Sequence, residues 1–263
     1  MRRPILRRGL VPGMCGGGKV PVIKPYFETD LGVLYHGDCL EIMPQLEPVD
    51  LVITSPPYNL RNMKKGGFYG GKERTLEYLS HDDNMRPEEY VEWQHKLLKQ
   101  CMVLLSDKGA IFYNHKPRIS GGVYDDRKNL IPFPIRQEII WDRCGMVNFE
   151  GSFYAPNTEK IYIIVKNKWR PNKKYLKFGE VWRFPPETNT EHPAPFPKQL
   201  AHRVLLSACN DGDVVLDPFF GSGTIAIEAE KLNRRWIGIE IEEKYCEIAA
   251  KRIMHENQQL KWC

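Results

Sequence analysis

The apolar run Leu51-Val52-Ile53 ends in Thr54-Ser55-Pro56-Pro57-Tyr58-Asn59. Branched apolar residues make the run a buried strand. Two consecutive prolines then withdraw two backbone donors, so the chain must leave the sheet. What remains at the strand's carboxyl end is a rigid shelf. It carries the Ser55 hydroxyl, the carbonyls of Ser55 and Pro56, and the aromatic plate of Tyr58. That set suits a flat molecule with an exocyclic amine: the ring stacks on Tyr58 while the amine donates to Ser55 and a carbonyl. Ser-Pro-Pro alone reads as a strand-ending turn; the strand before it and the Tyr-Asn after it favour a site.

A second constellation lies far downstream, in Val214 to Leu216 followed by Asp217-Pro218-Phe219-Phe220-Gly221-Ser222-Gly223-Thr224-Ile225-Ala226. It reads as strand, glycine turn and helix, the helix reaching roughly Lys231. Gly221 and Gly223 let backbone approach a ligand, and Ala226 takes the place of the third small residue that packs helix on strand. The next strand, Trp236 to Ile239, ends at Glu240, about 20 residues on, where an acid meets ribose hydroxyls. No Lys-Ser/Thr follows the glycines, which disfavours a phosphate-gripping loop. In Leu31 to Leu40 a strand runs into Gly37-Asp38-Cys39. Asp38 is equally a ligand acceptor and a cap for the turn that follows.

The elements that must position these groups alternate. A helix is predicted from Pro87 to Leu105, with an aromatic and apolar stripe that belongs in the core. Strands are predicted at Ala110 to Tyr113, Glu138 to Trp141 and Lys160 to Val165, and helices at about 198–208 and 243–255. Alternation implies an α/β fold with a mostly parallel sheet, and both half-sites would lie beyond its carboxyl ends. Residues 26–263 are read as one domain, and residues 1–25, with Arg2, Arg3, Arg7 and Arg8, as a flexible basic arm.

Three further segments are polar. The loop from Arg61 to about Asn84 holds Lys64, Lys65, Lys72 and Arg74 among glycines and aromatics, which suits a nucleic acid backbone or an ordinary surface loop. Asn114 to Arg127 reads as another basic loop. From about 166 to 190, Lys168, Arg170, Lys173 and Lys174 are interleaved with Trp169, Tyr175, Phe178 and Trp182. This is the candidate surface for docking on duplex DNA.

Bulk composition narrows the classes. With 42% apolar and 27% charged residues, 263 residues make an ordinary globular chain with one sizeable core. The net charge of +5 suits a polyanionic partner. Seven cysteines without a Cys-x-x-Cys pair argue against disulfides and structural zinc, and His192 lacks a partner at ligand spacing, so no metal is expected. No apolar run has membrane-spanning length, and the start lacks a signal-like stretch, which reads as a cytoplasmic protein with no membrane partner.

Together the motifs resemble those of DNA amino-methyltransferases. Thr54 to Asn59 resembles their catalytic motif and Asp217 to Thr224 their S-adenosylmethionine motif. Their order is that of the permuted β-group. His192 to Pro197 is similar to that group's helix-leading cofactor motif, and His36 to Cys39 to its acidic adenine-side motif. The resemblance covers about residues 31 to 255. It implies a Rossmann-like, mostly parallel seven-stranded sheet with helices on both faces, and a target base flipped out of duplex DNA. It assigns catalysis to Ser55, Pro56, Pro57 and Tyr58. To the cofactor it assigns Asp38, Cys39, Thr54, Pro197, Asp217, Phe219, Gly221, Ser222, Gly223, Thr224 and Glu240. Members with Ser at the Ser55 position mostly methylate cytosine N4 and those with Asp adenine N6, so cytosine is favoured and adenine is the alternative. No cysteine follows a proline, against carbon-5 methylation. The resemblance makes the enzyme nucleoid-associated when acting and leaves a homodimer and a cognate restriction endonuclease open as partners. The competing classes are a nicotinamide-dependent oxidoreductase, which leaves the Pro-Pro shelf without a job, and a silent DNA-binding module.

Overall fold

The structure, a computed structural model, describes residues 23–59, 84–120, 122–145, 154, 156–187 and 196–260. In chain order the elements begin with β1 (Phe27–Glu28), β2 (Gly32–His36), α1 (Cys39–Ile42) and β3 (Val49–Thr54). Next come α2 (Pro87–Leu104), β4 (Leu105–His115), β5 (Arg118–Ser120), β6 (Val123–Asp125), β7 (Gln137–Asp142), β8 (Thr158–Val165) and β9 (Val181–Arg183). The chain then forms α3 (Lys198–Ala208), β10 (Val214–Asp217), α4 (Thr224–Lys231), β11 (Arg235–Glu240) and α5 (Glu243–Leu260).

One sheet runs β1-β2-β11-β10-β3-β4-β8-β7-β9. From β2 through β4 every neighbour is parallel, whereas β8 is antiparallel to both β4 and β7. The sheet has nine strands rather than the expected seven. The two additions are its edges, β1 and β9, of two and three residues. Strands that short carry too little periodicity to be read from sequence.

Alternate side chains of the central strands feed two apolar layers, as strand geometry requires. Leu51, Ile53 and Val215 join α3, α4 and α5 on one face. Val52, Leu216 and Ile237 join α1 and α2 on the other. The aromatic and apolar stripe of α2 is buried at Tyr90, Leu97, Leu98, Cys101 and Leu104.

The chain leaves β10 through α4 towards β11 on one side, and β3 through α2 towards β4 on the other. The winding therefore reverses between β10 and β3. At such a reversal the two outgoing helices lie on opposite faces and a crevice opens beyond the carboxyl ends of the strands. Leu216 pairs with Val52, so Asp217 and Thr54 finish their strands within a residue of one another.

Two readings of the polar segments change. Asn114 to Arg127 is not simply a loop: β4 continues to His115, and β5 pairs with β6 as a hairpin. In the cation-rich stretch, Trp169 and Trp182 are core residues. Val165 pairs with Ala110 in the middle of β4, and Lys168 bonds Asp107, nearer its start, at 2.8 Å. Arg170 donates to the carbonyls of Asn167 and Trp169, and Lys173 and Lys174 follow Asn172, whose N–H bonds Ser207 O at 2.8 Å. Asp107 falls between Leu105 and Ala110, which pair with Val49 and Leu51 across a register shift, so it lies three to five β3 residues, roughly 10–17 Å of strand, before Thr54. These four cations therefore stand towards the end of the sheet away from Ser55. Arg183, on β9, is at the near end and pairs with Asp142 at 2.8 Å. Lys64, Lys65, Lys72 and Arg74 lie outside the described residues, as does nearly all of the 1–25 segment.

Candidate functional site

Ser55 is placed by the end of β3, where Thr54 pairs with Tyr113 and the prolines stop the ladder. Pro56 is buried, and the Pro57 carbonyl accepts from the Tyr90 hydroxyl at 2.7 Å. The shelf is thus pinned from below by a residue whose stripe position reads only as core. Arg118, on β5, pins it from the side by donating to the carbonyls of Tyr58 and of Asn59, the latter at 2.7 Å.

The Tyr58 ring stacks on His115, with centroids 4.5 Å apart. Its hydroxyl is 2.9 Å from Ser55 Oγ and donates towards Asn114 Oδ1 at 2.9 Å and Glu159 Oε2 at 3.1 Å. Burial first, and then the Glu159 carboxylate, push the phenol well above its ordinary pKa, so it remains a protonated donor. Burial likewise drives His115 down to about 3, which keeps the imidazole neutral.

Across the crevice the glycine turn takes the left-handed conformation at Gly221 (φ 51°) and Gly223 (φ 77°). A Cβ on Gly223 would also come within 3.1 Å of Ala249. The turn is anchored by Phe220, whose ring stacks on Trp236 and occupies the space a Cβ on Gly238 would need, 2.3 Å away. Glu240 ends β11 and takes the Gly221 N–H at 2.7 Å and the Glu242 N–H at 3.0 Å. Asp217 accepts from Phe219 N at 3.1 Å, and burial, opposed by that bond, pushes its carboxyl up to about 7. Asp38 is exposed and caps α1 by accepting from Leu40 N at 2.7 Å, so its capping role is realised. Its neighbour Cys39 is buried, and His36 pairs with Glu240 in the sheet, which brings Asp38 to the same end as the glycine turn. Pro197 is buried at the start of α3, and Phe219 packs on Trp93 of α2 with centroids 5.7 Å apart.

Thr54 Oγ1 and Thr224 Oγ1 are buried without a hydrogen-bond partner among the described residues. A buried hydroxyl without a partner is costly unless a ligand or water completes it. One closes β3, just before the shelf, and the other opens the helix after the glycine turn. With Gly221, Gly223 and two buried carboxylates, they make a donor and acceptor set that fits a nucleoside carrying positive charge. Among the described residues no group of three His, Cys, Asp or Glu could hold a metal ion.

The family model described as DNA methylase matches residues 49–251, which contain both half-sites. This chain belongs to the N6/N4 DNA methylase family. The methylase is 34% identical over 281 residues to the type II methyltransferase M.ScaI of Streptomyces caespitosus, over 90% of this chain and 86% of that one. Its fold matches that of the PvuII DNA methyltransferase (cytosine-N4-specific) with a TM-score of 0.71 at 20% identity, over 90% of this chain and 95% of the other. It matches M1.HpyAVI, solved as a complex with SAM, with a TM-score of 0.58 at 24% identity, over 84% and 100%. The methylase is therefore a DNA amino-methyltransferase, and DNA is its substrate. Among its described residues no helix is long and apolar enough to cross a membrane.

Sequence reasoning missed Asn114, His115, Arg118, Arg143 and Glu159. Asn114 and His115 stand near the end of β4 and were legible by the same rule that flags Asp38 and Glu240, polar residues at the carboxyl end of a strand. Glu159 is the second residue of an antiparallel strand, where that rule says nothing, and reaches Tyr58 only because β8 lies against β4.

Proposed function

We propose that this enzyme transfers a methyl group from S-adenosylmethionine to N4 of a cytosine flipped out of duplex DNA. The observation that carries the reading is the meeting of the Ser55–Tyr58 shelf and the Gly221–Thr224 turn at one reversal of strand winding. S-adenosylmethionine supplies, when bound, an electrophilic methyl on a sulfonium.

The chain's part is to hold two ligands in line, since no enzyme nucleophile is needed. Gly221, Ser222, Gly223 and Thr224 bring backbone and a hydroxyl to the cofactor, Glu240 takes its ribose and Asp217 faces its positive end. Asp38, Cys39, Thr54, Pro197 and Phe219 complete the wall. On the other side, Tyr58, backed by His115, offers its free side to the flipped base. Flipping costs a few kcal/mol of unstacking, which this stacking offsets. Ser55 and the Pro56 carbonyl accept from the amine and draw its nitrogen lone pair out of conjugation with the ring, and Pro57 keeps the shelf rigid. The amine nitrogen would form the new N–C bond as the sulfonium's S–C bond to that methyl breaks, leaving S-adenosylhomocysteine, and would release one proton to water.

Ser55, rather than an acid, at the amine-accepting position supports cytosine over adenine as the target. Residues 26–263 act as one methyltransferase domain, with Lys64, Lys65, Lys72 and Arg74 on the DNA backbone. Incubation of mixed-sequence duplex DNA with labelled S-adenosylmethionine, followed by mass spectrometry of the nucleosides, tests the reading. N4-methylcytosine is expected. N6-methyladenine would overturn the base assignment, and no label in either base would overturn the reaction.

A further inference from the structure

Ser55 and Tyr58 own one hydroxyl hydrogen each, and two side chains decide where those hydrogens go. Asn114 Nδ2 donates to the Lys160 carbonyl at 3.1 Å, which turns its accept-only Oδ1 towards the shelf. That oxygen is 2.9 Å from the Tyr58 hydroxyl and 3.3 Å from Ser55 Oγ. Glu159, 6% exposed, offers Oε2 to Tyr58 at 3.1 Å, while its Oε1 is 3.2 Å from the Arg143 guanidinium. Arg143 in turn lies over Trp141, 5.6 Å from the ring centroid. Two hydroxyl hydrogens therefore face two oxygens that can only accept.

The direction of those hydrogens matters to the reaction. A serine hydroxyl is both donor and acceptor and rotates to suit its surroundings. If Ser55 aimed its hydrogen at the target amine, it would tie up the lone pair that must attack. If that hydrogen is committed elsewhere, Ser55 meets the amine with its own lone pairs and accepts an N–H.

We propose that Glu159, held by Arg143, is a positioning residue that fixes the polarity of the Tyr58–Ser55 hydroxyl pair, so that Ser55 meets the target amine only as an acceptor. Tyr58 donates to Glu159, which leaves Asn114 Oδ1 and the Tyr58 oxygen for the Ser55 hydrogen. No proton moves along this chain; it sets directions. A buried carboxylate thereby lends its accepting power to a serine through one intervening phenol. Charge-assisted bonds of this kind are about twice as strong as neutral ones. The inference rests on the methyl-transfer reading given above.

The test uses the full chain, tritiated S-adenosylmethionine and a methylatable duplex, with Glu159→Gln, Tyr58→Phe and the double variant. Tyr58→Phe keeps the ring and leaves the Glu159–Arg143 pair intact. Each single variant is expected to lower the single-turnover rate about 100-fold, the size of losing one preorganised group. Dissociation constants for the cofactor and for duplex should be unchanged. The double variant should be no slower than the slower single, because the second substitution cuts a chain already broken. Multiplying losses, or a wild-type rate for either single, would overturn the inference while leaving methyl transfer standing. Should Glu159→Gln fail to fold, Tyr58→Phe decides by its own rate. A wild-type protein that methylates no duplex would instead overturn the reaction on which the inference rests.

Discussion

The Tyr58 ring lies on the His115 imidazole with centroids 4.5 Å apart and planes 29° from parallel. His115 is in turn bonded through Nε2 to the Tyr90 hydroxyl at 2.9 Å, and Tyr90 reaches the Pro57 carbonyl. One buried imidazole thus ties the Tyr58 ring to the helix that supports the shelf. His115 stays neutral because burial lowers its pKa to about 3, whereas in the unfolded chain it titrates near its ordinary 6.5. Between those values the unfolded state binds a proton the folded state refuses, so this contribution is complete above about pH 6.5 and is lost as pH falls towards 3. Thermal melts from pH 7 to pH 4 should show a falling Tm that His115→Gln flattens. Equal slopes for both proteins would remove His115 from the cause.

Asp217 has the opposite sign. Burial raises its carboxyl to about 7 from an ordinary 3.8. Its contribution to stability is therefore complete below about pH 3.8 and lost as pH rises through 7. A cationic ligand beside it favours the ionised form and expels the proton. S-adenosylmethionine should bind more tightly as pH rises through 7, with proton release seen by calorimetry in buffers of different ionisation enthalpy. Asp217→Asn should abolish that release. Release that persists in the variant would show that another group carries it.

Arg118 donates to two shelf carbonyls, those of Tyr58 and Asn59. Bonds from a charged donor are worth about 2 kcal/mol, roughly 30-fold in an equilibrium or rate constant. Arg118→Ala should lower turnover by about that factor, with cofactor affinity kept. Loss of cofactor affinity instead would place Arg118's influence on the other half-site.

Gly238 is the neighbour that lets Phe220 seat the glycine turn, since a Cβ there would stand 2.3 Å from the ring. Gly238→Ala should destabilise the fold by about 1–3 kcal/mol, as overpacking does, and weaken cofactor binding through the displaced turn. A denaturation midpoint equal to wild type would show that Phe220 moves aside without cost.

The cations at the far end of the sheet make a negative control. Lys168→Ala and Arg170→Ala should leave methylation rate and duplex affinity unchanged, even though duplex binding as a whole should fall steeply with added salt. A drop in affinity confined to these variants would bring the duplex to the end of the sheet marked by Asp107.

Both half-sites were legible in the sequence because each is a local event. A strand that meets Pro56-Pro57 has to stop, and a strand that meets Gly221-Ser222-Gly223 has to turn tightly into a helix. Apolar runs gave β3 and β10, and helical spacing gave α2, almost to their ends, whereas α5, expected to about residue 255, runs to Leu260. The cation-rich stretch was less legible because tryptophans read alike on a docking face and in a core, where Trp169 and Trp182 lie, and composition does not say which end of a strand a segment follows.

What the amino-acid order determined by itself is the pair of anchors, Ser55 to Tyr58 and Asp217 to Thr224, and the kind of ligand each suits. Only the tertiary structure decided that β10 lies beside β3, which sets the anchors on one crevice. It alone also decided that Asn114, from β4, and Glu159, from β8, converge on the Tyr58 hydroxyl. The reason is physical: strand stops and glycine turns are fixed by neighbours along the chain, whereas strand order and buried hydrogen bonds are fixed by partners far along it, chosen by how the two apolar layers close.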